Sequence, residues 1–162
     1  MLRRSPRLLR RVRGDILFGP MFFMGIIAAI AIPAYQDYTI RSQVTEGLNL
    51  ASAVKVSVAE SFARTGAWPA NLKQLEFART PRGRYVASVT LRNGTVFIRY
   101  GGAANALLIG HMLTLRPTAS PQGDIVWSCG YSPDRGGDPR KGPAAPHATD
   151  ISPKYLPSAC RG

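Results

Sequence analysis

Apolar residues fill positions 16–32 almost without a break, then thin to one in every three or four. From Tyr35 to Arg64 the apolar positions are Ile40, Val44, Leu48, Ala51, Val54, Val58 and Phe62, spaced 4, 4, 3, 3, 4 and 4. That rhythm is one buried face of an α-helix. Arg41, Gln43, Glu46, Asn49, Lys55 and Glu60 fall mostly on other faces. Gly66 follows the last periodic residue and suits a C-terminal cap, while Asp15 suits a cap at the start. Counted from Pro20 to Thr65 the helix is about 46 residues, or roughly 70 Å. Pro33 removes the hydrogen bond to the Ala29 carbonyl and is expected to bend it. One rod therefore joins an apolar half to an amphipathic half.

Beyond the helix the period changes. Residues 66–83 mix Trp68-Pro69, Leu72, Leu75 and Phe77 with glycine, proline and charge, as a connector with one short helical turn. From Tyr85 to Arg92 the pattern alternates with period two, Asn93-Gly94 supplies a hairpin turn, and 95–100 alternates again. Further strands are predicted at 107–115 and 124–129, with turns at Gly101-Gly102 and 117–123. The fold class is α+β: a long N-terminal helix packed on a roughly four-stranded antiparallel sheet, whose apolar face the amphipathic half covers. The chain divides into a basic segment (1–14), an apolar half-helix (15–34) and a globular head (35–162). The head comprises helix 35–65, connector 66–83, sheet 84–129 and a loop region 129–160.

Charge adds a direction. Net charge is +12, and six of the 21 Lys and Arg, from Arg3 to Arg13, lie in the first thirteen residues with no acid among them. Basic residues beside an apolar segment stay cytoplasmic, so this cluster reads as a topology signal that sends the head outward. A nucleic-acid tail is the alternative. The seventeen apolar residues 16–32 rise about 25 Å, slightly less than a ~30 Å hydrocarbon core. A cleaved secretory signal, cut near Ala29–Ala31, is the rival to a membrane anchor.

The two cysteines, Cys129 and Cys160, then face an oxidising space, which favours a disulfide. Free thiols are one alternative. A metal pair is another, for which zinc would want more ligands than His111 and His147 supply in this pattern. A bridge would close a loop of about thirty residues, worth roughly 3–4 kcal/mol.

No nucleophile–histidine pair, metal spacing or phosphate loop emerges, so an enzyme is not expected, nor is a cofactor. His111, in a strand pattern, is expected to be a satisfied or surface histidine. His147 carries no argument. Lys73, Arg79, Arg82 and Arg84 gather on the connector, and Arg92 and Arg99 flank the hairpin. With Tyr85 and Tyr100 they are candidates for a basic, aromatic strip that contacts DNA; an ordinary solvated face is the other reading. Asp134, Arg135, Asp138, Arg140 and Lys141 are candidates for a receptor or subunit contact, or serve solubility alone.

The stretch GIIAAIAIPAYQDYTIRSQ, residues 25–43, resembles the N-terminal helix of type IV pilins, including Pro33, Tyr35 and Tyr38. The similarity continues through 45–60, 86–117, 125–130 and 151–161, which is most of the chain from Gly25 to the end. With the two-cysteine carboxyl end, the match is to major pilins of the type IVa kind. The resemblance implies a structural subunit that polymerises into a helical surface filament for adhesion, motility or DNA uptake. Gly25, Ile26, Ile27, Ala28, Ala29, Ile30, Ala31, Ile32 and Pro33 would carry assembly and anchoring, with Tyr35 and Tyr38. Its partners would be further copies, the inner membrane, the pilus assembly machinery and, in one variant, DNA. It would reside in the bacterial inner membrane, head periplasmic, and in the extracellular pilus.

The start departs from the family. Pilins carry a leader cut after a glycine, then a phenylalanine, and a glutamate fifth in the mature chain. An ungapped extension puts Arg11, Val12 and Ile16 in those places. The expectation is that the leader motif is missing and that residues 1–24 do not derive from the usual pilin start, through a frameshift, a mis-called start or recombination. Two alternatives follow: a minor DNA-binding pilin, and a copy that stays unassembled in the inner membrane.

Overall fold

A computed structural model describes residues 15–120, 122–133 and 148–162; among these, nothing is described of the side chains at 15–20, 28 and 30–34. Two compact units divide the chain at Gln36 and Asp37. The first consists, where described, of helix alone. The second, Asp37–Gly162, contains the disulfide and, among the described residues, all of the buried core.

The helix α1 spans Asp15–Thr65 and is assigned without interruption through Pro33. Gly66 closes it with φ +68° and an N–H donated to the Phe62 carbonyl at 2.8 Å. In the head, Ile40, Val44, Ala51, Val54 and Val58 are buried as the periodicity predicts. Leu48 and Phe62 are half-buried.

The sheet is antiparallel in the order β1-β2-β3-β4, with β1 at Val86–Arg92, β2 at Thr95–Tyr100, β3 at Met112–Ala119 and β4 at Ile125–Cys129. Asn93 and Gly94 both take positive φ, 46° and 80°, as a two-residue hairpin with right-twisted strands requires. Val89, Leu91, Val96, Ile98, Tyr100, Leu113 and Leu115 join the helix residues in one core.

The third strand corrects the sequence expectation. Residues 106–110 form a turn, and β3 begins only at Met112 and continues past Pro117 to Ala119. Asn105 holds the turn: its side chain accepts the Leu107 N–H at 3.0 Å, and its own N–H is taken by Gln43 Oε1 on the helix at 2.8 Å. Pro117 is tolerated because β2 has already ended; Val96, opposite Leu115, is the last β2 partner. The N–H that proline lacks removes no bond to that strand.

Helix and sheet approach closely at Gly47. A Cβ there would lie 2.5 Å from Tyr100 Oη and 2.8 Å from Ile98 Cγ2. Tyr100 is buried and donates its hydroxyl to the Val44 carbonyl at 2.9 Å. Burial, with a smaller contribution from the Glu46 carboxylate, pushes the Tyr100 phenol well above its ordinary range. A phenol harder to ionise in the folded chain lends stability that is complete below pH ~10 and lost as pH climbs through and beyond that value. Tyr100→Phe should therefore destabilise the head by about 1 kcal/mol at neutral pH, for the lost hydrogen bond. That gap should narrow in thermal melts taken between pH ~10 and ~11.5. A gap that stays constant there means the phenol does not report on folding.

The connector packs by its aromatics. Trp68 stacks on Phe62 with centroids 4.0 Å apart, and a 3₁₀ turn at Leu72–Leu75 is capped by the Asn71 side chain, which accepts the Gln74 N–H at 3.2 Å. Cys129 and Cys160 form a disulfide, with Cα atoms 4.6 Å apart. Ile151, Tyr155, Leu156 and Cys160 return the chain to the core.

Candidate functional site

Two features of the chain are candidates for function: the exposed apolar part of α1, and the basic residues around the connector.

In the first unit, every residue from Met21 to Ile27 is exposed. Met21 to Met24 are 73, 72, 69 and 73% accessible, and Ile26 and Ile27 are 46 and 59%. A Cβ added at Gly25 would meet nothing within 4 Å. A helix turn that is apolar all round has no face suited to water, so it calls for apolar surroundings. Tyr35 is 72% exposed, and in the second unit Tyr38 is 71% exposed. The side chains of Ala28, Ile30, Ala31, Ile32 and Pro33 lie outside the described set. No helix among the described residues is long and apolar enough to cross a membrane.

The basic residues separate into two groups. Pro81 accepts the Val89 N–H at 2.9 Å, and Gly83 donates to the Val86 carbonyl at 3.0 Å, so the connector runs along the free edge of β1. Arg79, Arg82 and Arg84 lie on this edging, Lys73 on the 3₁₀ turn that touches β1, and Arg92 at the end of the strand. Arg99, in contrast, sits on β2 and donates to the Gly110 carbonyl at 3.3 Å. The expected aromatic strip is not formed. Tyr100 faces the core, so it cannot join Arg99 on the opposite face. The guanidinium of Arg84 lies over the Tyr85 ring at 5.4 Å, and that of Arg92 over Phe97 at 5.9 Å. Both rings are thus covered by arginine.

His111 is half-exposed, with Nδ1 3.3 Å from Asp150 Oδ2, and Asp150 Oδ1 accepts the Met112 N–H at 2.6 Å. Asp150 thereby ties the disulfide-closed region to β3. His147 and the charges at 134–141 lie outside the described residues. Among the described residues no group of His, Cys, Asp and Glu is placed to hold a metal.

Sequence reasoning missed the polar fasteners between α1 and the rest of the head. Gln43 accepts from Asn105; Glu46 Oε1 accepts the Tyr85 N–H at 3.3 Å; Arg41 Nε donates to the Lys154 carbonyl at 3.0 Å. Thr114 and Thr149 share a buried hydroxyl bond at 2.6 Å. Gln43, grouped by the periodicity with residues mostly on other faces, is in fact buried beside Val44.

The family model of pilins, the proteins of bacterial filaments, matches residues 40–161. A fimbrial protein of Neisseria meningitidis serogroup A is 36% identical over 146 residues, covering 85% of each chain. The type IV major pilin protein PilE1 of Neisseria gonorrhoeae is 37% identical over 143 residues, covering 85% of this chain and 79% of its own. The fimbrial protein EcpC of Eikenella corrodens is 38% identical over 144 residues, covering 85 and 81%. The chain belongs to the type IV pilin family. Pilins are structural subunits rather than enzymes. In this pilin the family match takes in the amphipathic half of α1, the whole sheet and both cysteines.

Proposed function

We propose that this pilin polymerises into a surface filament through the apolar half of α1, with heads outward, and that the filament serves adhesion or motility. The observation that supports this most directly is the unbroken exposure of Met21 to Ile27. Packing these side chains against the same segment of neighbouring copies removes them from water, and identical head-to-tail contacts that do not close yield a helical fibre. Gly25 and Ala29 allow close helix approach. Before assembly the same half-helix is held by the inner membrane, with the head outside. Seventeen apolar residues rise about 25 Å, so the bilayer thins locally around them. The assembly machinery moves the subunit from lipid to fibre at little net hydrophobic cost, because one apolar environment replaces another.

Ile27→Lys tests this. A lysine at the centre of an apolar environment costs about 2.5–3.5 kcal/mol, roughly a hundredfold in partitioning. Mass spectrometry of sheared surface fibres should find peptides from residues 45–64 for the native chain and nearly none for the variant, whose disulfide and core lie elsewhere. Equal recovery of both chains would remove the apolar half as the assembly element. Absence of the native chain from fibres would favour the unassembled inner-membrane copy.

The DNA-receptor reading rests on the cations of the connector. Their arrangement favours a different polyanion.

A further inference from the structure

We infer that the connector along the free edge of β1 is a binding site for a sulfated linear polysaccharide. This inference is independent of how the filament assembles. Its first support is an imbalance of charge. The His111–Asp150 contact and the Lys154–Asp37 ion pair lie elsewhere, and Lys73, Arg79, Arg82, Arg84 and Arg92 have no acidic partner among the described residues. All five are exposed. Two carboxylates share this edge, Glu46, whose Oε1 accepts the Tyr85 N–H, and Glu76 in the connector, so five cations leave a net positive edge that a bound polyanion neutralises.

The second support is a shaped place for one anionic group. Ala78, Arg79, Thr80 and Arg82 line an open cavity of 470 Å³, within the range of small-molecule sites, roughly 300–1,000 Å³. Two guanidinium forks and a hydroxyl there match the oxygens of a sulfate ester. The cavity is backed rather than floppy. The Pro81 carbonyl and the Gly83 N–H, which interleave with its arginines, are both bonded to β1. Ordering that backbone in advance reduces what binding must spend on it.

The third support selects the polyanion. The cations lie on β1 and on the connector hydrogen-bonded to its edge. Arg84 precedes β1 and Arg92 ends it, and the strand from Val86 to Arg92 extends about 20 Å. A strip confined to one sheet edge suits one anionic chain better than the paired backbones of a duplex. A single nucleic-acid strand would seek open aromatic faces on which to stack. The Tyr85 and Phe97 rings beside the strip are roofed by Arg84 and Arg92, and Phe97 is buried. These two rings therefore give a base no open face on which to stack. A sulfated polysaccharide has ester anions at short repeats and no base to stack.

The test uses the compact unit Asp37–Gly162, which carries the core of the described residues and the disulfide and lacks the six amino-terminal arginines that would hold any polyanion. Titration calorimetry over a salt series compares a heparin-derived oligosaccharide, its chemically desulfated form, a short DNA duplex and the matching single strand. The sulfated oligosaccharide should bind most tightly at every salt concentration, and the desulfated form should not bind. Arg79→Gln/Arg82→Gln should lower the slope of log affinity against log salt by about two, one for each cation removed. Lys154→Gln/Arg161→Gln, which removes the same charge at the carboxyl-terminal end, should leave the slope unchanged, with both variants melting cooperatively. Tighter binding of either DNA form overturns the proposal in favour of a nucleic-acid site. Equal binding of the desulfated form, equal losses in both double variants, or no binding at all also overturn it.

Discussion

Cys129→Ser should lower the stability of the head by about 3–4 kcal/mol, a fall in melting temperature of roughly 10–15 °C for a domain of this size. The two cysteines are separated by 31 positions, and the bridge restricts the unfolded chain far more than it adds contacts to the folded one. The folded ends are already arranged. The Tyr131 N–H bonds the Cys160 carbonyl at 2.9 Å, and Ser132 Oγ donates to the Ala159 carbonyl. Gly130, at φ +57°, lets the two segments come together; a Cβ there would lie 2.6 Å from the Cys160 carbonyl oxygen. The serine variant should therefore fold to the same sheet and melt like the reduced native protein. Calorimetry of the oxidised and reduced native head beside the variant checks this. A variant that melts with the oxidised protein would show that the bridge adds nothing to stability.

Leu156→Ala should cost a comparable amount, about 2–5 kcal/mol, by the opposite route. Leu156 is fully buried, and with Ile151 and Tyr155 it seats the carboxyl-terminal segment in the core. Truncation leaves a cavity that neighbouring side chains only partly fill, so the loss belongs to the folded state. Its mark is persistence under reduction: the leucine variant should lie below the native chain by the same margin whether or not the disulfide is intact. Denaturant unfolding in both redox states measures the two margins. If reduction erased the difference, the leucine would matter only through the loop that the bridge closes.

Much of this pilin is legible in its sequence. The spacing of Ile40, Val44, Ala51, Val54 and Val58 specifies a helix with one buried face, because side chains three and four apart share a face of any α-helix. Asn93-Gly94 specifies its hairpin, because both positions need positive φ. These rules are local, and the fold obeys them. The third strand departs from expectation for an equally physical reason. Residues 107–109 are apolar enough for a strand, yet the turn is held by Gln43, which lies 62 positions from Asn105. Pro117 reads as a breaker until the length of β2 is known. Neither fact is available within a short window of sequence.

The same division runs through the candidate sites. The apolar half of α1 is plain from composition alone, since burying or exposing a run of isoleucines and phenylalanines is decided by hydration of the residues themselves. The basic residues can be counted in the sequence but not sorted. Tertiary structure turns Tyr100 inward against Val44, covers Tyr85 and Phe97 with guanidinium groups, and aligns the connector cations along β1 while directing Arg99 to Gly110. Sequence determined which segments must leave water and which must bend. Only the packed fold decided which charges share an edge, because that depends on strand order and on hydrogen bonds between residues far apart in the chain.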